Sequence, residues 1–138
     1  MHVRISARVL GEMSPDYLTD VIGLSPHDVS RKGEKRMPGR EDSAIYRNNS
    51  WSYEGRPYDC SDVSLVLREF LGEFRHLDFS IAEINGVTWC CLDVLISRDV
   101  DVDRDGQIVG FEIANDVLRD MYRLGFSLQI AARNDLSS

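Results

Sequence analysis

Apolar and polar residues alternate at the start of the chain, with Val3, Ile5, Ala7 and Val9 set against Arg4, Ser6 and Arg8. A period of two is the signature of a strand with one buried face, so residues 3–10 are predicted as the first strand. The period then changes. Ser14-Pro15-Asp16 offers an N-cap, a proline suited to the first helical position and an acid in the first turn, and Leu18, Val21 and Ile22 form a stripe that Gly23 closes. This predicts a helix over 15–22. Residues 25–49 carry Pro26, Gly33, Pro38 and Gly39 with the cations Arg31, Lys32, Lys35 and Arg36, the composition of a long exposed connection. In Trp51-Ser52-Tyr53 two aromatic residues share one face of a short strand near 50–54. Val63, Val66, Leu67, Phe70, Leu71 and Phe74 then recur at helical spacing, predicting a helix over 61–75 capped by Asp59 or Ser61.

Residues 77–84 fit two periods: Leu77, Phe79 and Ile81 suit a strand, while Leu77, Ile81 and Ile84 suit a helical face. Asn85-Gly86 serves either as a hairpin turn or as a left-handed helix cap. Residues 87–97, rich in Val, Trp, Cys, Leu and Ile, predict a central strand buried on both faces. A last helix over 115–124 is expected to bury Val117, Leu118, Met121 and Tyr122 and to end at Gly125. Phe126, Leu128 and Ile130 alternate in a closing strand over 126–132. This order predicts a single α+β domain over residues 1–138, a mixed sheet of about four strands with helices mainly on one face.

Composition narrows the class. The chain has 138 residues, 43% hydrophobic and 28% charged, typical of a globular domain. A chain of this size buries roughly two-thirds of its unfolded surface, so its core needs no metal or disulfide. Sixteen Lys and Arg against 23 Asp and Glu give a net charge of −7, which argues against nonspecific nucleic-acid or anionic-membrane binding and leaves basic protein partners in view. No apolar run approaches the roughly 20 residues of a membrane helix, and nothing resembles a secretory signal, so a cytoplasmic location is expected. Cys60, Cys90 and Cys91 are odd in number, and the adjacent pair would point to opposite faces of a strand, so reduced thiols are expected. His2, His27 and His76 lack zinc-ligand spacing, and His76 is read as a partner for a helix C-terminus. Trp51 and Trp89 are both expected in the core.

One stretch points to particular chemistry. Asp101-Val102-Asp103-Arg104-Asp105-Gly106-Gln107-Ile108-Val109-Gly110-Phe111-Glu112 fits the twelve-residue calcium loop, with oxygen ligands at positions 1, 3 and 5, Gly at 6, a backbone carbonyl at 7 and a bidentate Glu at 12. The candidate ligands are Asp101, Asp103, Asp105, Gln107 and Glu112. Val109 at position 9 cannot position a water, and a strand, not a helix, leads into the loop, so affinity is expected near the weak end, about 10⁻⁴ to 10⁻³ M. The competing reading is a solvated acidic turn around Asp105-Gly106.

Several stretches together resemble the domain of unknown function (DUF) 4279 family of small bacterial proteins. These are Ser14-Pro15-Asp16-Tyr17-Leu18-Thr19 with Gly23-Leu24-Ser25-Pro26, then Arg31-Lys32-Gly33-Glu34, Trp51-Ser52, Gly110-Phe111-Glu112-Ile113, Leu118 and Leu124-Gly125. The resemblance implies an α+β fold and a helical reading of 79–84; it brings no activity, cofactor or catalytic residue, and the Asp101 stretch looks like an addition to the family pattern. With no nucleotide motif and no paired nucleophile and base, the expected function is a noncatalytic binding protein, in its sharpest form an immunity-like protein that neutralises a toxin. The alternatives are a calcium-binding module or a metal-dependent hydrolase built on 101–112.

Overall fold

The computed structural model describes residues 2–59, 62–99 and 112–135. Its elements are β1 (His2–Gly11), α1 (Pro15–Ile22), β2 (Asp28–Ser30), β3 (Asn49–Glu54), β4 (Tyr58–Asp59), α2 (Val63–Gly72), β5 (Val87–Asp99), α3 (Asn115–Leu124) and β6 (Ser127–Asp135), with one 3₁₀ turn at Ile81–Glu83. The fold is α+β with a mixed sheet, ordered β2-β3-β1-β5-β6, and β4 pairs with the start of β1. Six strands therefore replace the four expected. The two additional ones, β2 and β4, are three and two residues long, too short to display alternation in sequence. β3, β4 and β5 run antiparallel to β1, whereas β6 returns through α3 to lie parallel to β5.

Register places Val3, Ile5, Ala7 and Val9 opposite Ile96, Val94, Leu92 and Cys90, and all eight are buried. The buried residues of α1, α2 and α3 join the same cluster, so the helices cover one face of the sheet. Trp51 on β3 is fully buried and its indole N–H donates to Thr19 Oγ1 at 3.2 Å, while Thr19 Oγ1 donates to the Pro15 carbonyl at 3.1 Å. That chain of bonds seats α1 on β3. An aromatic row, Tyr53, Phe70, Phe74 and Phe126, continues across the core with ring centroids 5.6 to 6.0 Å apart.

Helix ends follow local chemistry. Ser14 Oγ accepts from the Tyr17 N–H at 3.1 Å, Pro15 opens α1 and Gly23 ends it at φ 79°. α2 is capped by Asp62, whose carboxylate accepts from the Leu65 N–H, and not by the expected Asp59 or Ser61. Residues 77–84 resolve toward the helical reading, since Ile81–Glu83 form a 3₁₀ turn. Gly86 then adopts φ 93° beside Met13, and its carbonyl accepts from Glu12 N–H at 2.9 Å, closing the far end of the β1–β5 pair. No helix among the described residues is long and apolar enough to cross a membrane.

Two expectations about burial are corrected. β5 is central but not buried on both faces: Trp89 is 36% exposed and Asp93 and Leu95 are half-buried, because no described helix covers their side of the sheet. On α3 only Val117, Met121 and Leu124 are buried, while Leu118 is 43% and Tyr122 87% exposed. Leu118 and Tyr122 each stand one residue, about 100°, around the helix from the buried Val117 and Met121, on a flank left largely to solvent.

Candidate functional site

The densest chemistry in the described residues lies where the chain leaves β3. Tyr53 and Glu54 end that strand, and Gly55 donates its N–H to the Ile5 carbonyl at 2.9 Å, so the backbone holds against β1 before re-pairing through Tyr58. A Cβ on Gly55 would stand 2.8 Å from the Phe70 ring, so only glycine permits this close approach of the link to α2. Between link and helix opens a cleft of about 360 Å³, walled by Tyr53, Tyr58 and Phe70 and carrying His27, Glu54, Arg56, Glu69 and Glu73. Three carboxylates face one guanidinium, giving the cleft a net negative charge.

Its polar groups hold one another in place. Tyr58 donates to Glu69 Oε2 at 2.6 Å, and Arg56 Nε donates to the Tyr58 hydroxyl at 3.0 Å. The Arg56 guanidinium lies 4.9 Å from the Tyr58 ring centroid and 3.8 Å from the Glu69 carboxylate. Hydrogen bonding to Tyr58, and then the charge of Glu69, raise the Arg56 pKa above its ordinary value. His27 packs edge-on to Tyr53 at 5.1 Å and accepts the Glu54 N–H at Nδ1, 3.0 Å away. In the neutral ring this bond places the proton on Nε2. Burial, reinforced by the Glu73 carboxylate, raises the Tyr53 pKa, so the phenol stays protonated through neutral pH.

This arrangement is suited to holding an organic cation. Aromatic faces and carboxylates attract a guanidinium or ammonium group together, and Arg56 on Tyr58 and Glu69 already displays that pairing. A bare metal ion fits less well: among the described residues no three His, Cys, Asp or Glu side chains converge to hold one. The lining residues include no Ser, Thr, Cys or Lys.

The candidate calcium ligands Asp101, Asp103, Asp105 and Gln107 lie outside the described residues. Glu112 lies within them: its carbonyl accepts from the Ser64 hydroxyl at 2.9 Å, and Ser64 Oγ in turn accepts the Ala114 N–H at 2.9 Å, fixing residues 112–114 to the first turn of α2. His76 does meet a helix end, but that of α1, with Nε2 2.6 Å from the Ile22 carbonyl. Cys90 and Cys91 are free and buried; Cys60 lies outside the described residues.

The family model described as "Domain of unknown function (DUF4279)" matches residues 2–134, nearly the full length. The chain belongs to the DUF4279 family. No curated protein and no solved structure matches it. Sequence reasoning missed the cleft of this DUF4279 protein, although Tyr53-Glu54-Gly55-Arg56-Pro57-Tyr58 concentrates acid, base and aromatic residues and Glu69 and Glu73 stand one helical turn apart. That these two segments face each other depends on the return of β4 to β1, which leaves no periodic trace.

Proposed function

We propose that the protein is a noncatalytic binding protein whose cleft receives a basic group carried by a protein partner. The observation that carries this reading is Arg56, which stacks on Tyr58 and pairs with Glu69, so the site already accommodates one guanidinium and retains Glu54 and Glu73 for another. The −7 net charge favours encounter with a basic partner. Immunity-like neutralisation of a toxin is the sharpest form of the proposal. Affinity capture with the tagged full chain followed by mass spectrometry is expected to return a stoichiometric basic partner. Glu69→Lys with Glu73→Lys should then abolish capture, whereas reversal of Arg31, Lys32 and Arg36 to Glu should spare it. The opposite pattern would move the interface to the 25–49 connection. Turnover of an ester, phosphoester or peptide substrate that is lost on changing Asp103 or Glu112 would make the protein an enzyme instead.

A second reading, calcium binding by 101–112, is favoured by the Ser64 bridge, which fixes the backbone of the twelfth loop position to α2. Millimolar calcium is expected to raise the melting temperature, and Glu112→Gln to remove most of that shift by deleting the bidentate ligand. No heat and no thermal shift on titration would dismiss it.

A further inference from the structure

The two edges of the sheet are built differently. β2, at one edge, is three residues long, a short edge of the kind that resists unwanted pairing. β6, at the other, spans Ser127–Asp135, and among the described residues it pairs only with β5. Its first six residues, Ser127 to Ala132, include no charge and no proline, so the usual guards of an exposed edge are missing there.

An apolar strip accompanies this edge. Register with Leu92, Val94 and Ile96 puts Leu128, Ile130 and Ala132 on the helix-covered side, where Ile130 is 39% exposed. Asp116 of α3 pairs with Arg68 of α2, and Arg123 donates to the Leu77 carbonyl just beyond α2, so that flank of α3 faces inward along the sheet. Leu118 and Tyr122 stand on the other, exposed flank of α3, where Tyr122 also borders a hollow with Arg123, Asp78 and Glu83. Charge is balanced locally: residues 115–135 hold Asp116, Asp120 and Asp135 against Arg119, Arg123 and Arg133, a net of zero in a chain of −7.

We propose that β6 and the neighbouring strip of α3 form a self-association surface through which two copies of this chain pair antiparallel, edge to edge. A two-fold axis at Ile130 sets Ile130 against its own copy and Leu128 against Ala132 on the helix-covered side, with Gln129 opposite Ala131 on the other face. Residues 128–132 carry no charge, so no like charges meet across them. Local neutrality selects a second copy over a basic partner, which this edge has no net charge to attract. The cleft lies beyond β3 at the far side of the sheet, and pairing through β6 leaves it open.

Sedimentation equilibrium of the full chain, from micromolar to sub-millimolar concentration, is expected to show twice the 15.7 kDa chain mass. Ile130→Lys sets a lysine against its own copy and should weaken the dimer by roughly tenfold or more, since like charges directly opposite destabilise paired strands. Tyr122→Ser, at an 87% exposed position that the monomer fold does not need, should weaken it less and keeps the test open if Ile130→Lys fails to fold. Monomer mass at every concentration would overturn the proposal. So would a dimer that both substitutions leave intact.

Discussion

β1 and β5 lie side by side through the centre of the sheet, and their two faces have different construction. On the helix-covered face Val3, Ile5, Ala7 and Val9 meet Ile96, Val94, Leu92 and Cys90 in a dry apolar layer. On the other face the partners are Arg4 with Leu95, Ser6 with Asp93, Arg8 with Cys91 and Leu10 with Trp89. There Arg8 ion-pairs with Asp93 at 3.0 Å and its guanidinium lies 5.8 Å from the Trp89 ring centroid, so it spans the two residues that flank Cys91. Cys91 is only 2% exposed on this otherwise open face. One face is covered by packed helices, and at its centre the other is covered by a long charged side chain. Apolar packing is costly to remove, whereas a solvent-screened strap contributes little stability and still controls access.

The largest contrast should come from leucine truncation on the same strand. Leu92 is fully buried beneath the helices, and Leu92→Ala is expected to cost about 2–5 kcal/mol, the range for deleting a packed core leucine. Leu95, three residues along and half-buried on the opposite face, should lose about 1 kcal/mol or less on the same change, because solvent fills the space left behind. Urea unfolding that shifts the midpoint at constant slope would measure both losses. Equal losses would mean that the second face is covered as well as the first.

The same asymmetry explains what was legible in the sequence. Alternation in β1 marked Val3, Ile5, Ala7 and Val9 as buried, and α1 was bounded by Ser14, Pro15 and Gly23, because both signals are local. β5 misled, since Trp89 and Leu95 are as apolar as their buried neighbours and composition alone does not say that a sheet has one covered face. Leu118 and Tyr122 misled similarly by broadening the apolar side of α3 past the line that meets the core. The cleft depended on Gly55 and on a two-residue strand, features too short for any period. The Asp101–Glu112 loop was legible as a motif, but of its ligands only Glu112 falls among the described residues.

Adjacent cysteines offer a sharper probe, because they report the two faces from neighbouring positions. Burial pushes the Cys90 thiol up from 9.0 to about 11, and burial followed by the Asp93 charge raises Cys91 as well. A thiol whose pKa is higher folded than unfolded leaves the native state holding more protons between those two values. The stability it contributes is therefore intact below pH 9.0 and falls as pH climbs towards about 11. Cys90→Ala should flatten that decline, measured as the urea midpoint against pH. An unchanged slope would place the alkaline loss in other groups.

The smallest effect on stability should carry the most information about the second face. Arg8 and Asp93 have side chains 47% and 26% exposed, so Arg8→Ala is expected to cost no more than about 1 kcal/mol, the scale of a solvent-screened pair. The same substitution removes the side chain that crosses between Trp89 and Asp93 above Cys91. It also removes the Arg8 charge, which lowers the Cys91 pKa, so the thiolate fraction falls slightly while access increases. Access should dominate, because a buried thiol reacts only as often as its cover opens. Peptide-mapped alkylation of the native protein should then show Cys91 modified faster in Arg8→Ala than in the parent, with Cys90 unchanged beneath the helices. Arg8→Lys tests the strap directly, since it keeps a charge near Asp93 but loses the planar group that lies over Trp89. An intermediate Cys91 rate in that variant fits a strap held at both ends, while a parental rate would assign the protection to the Asp93 pair alone.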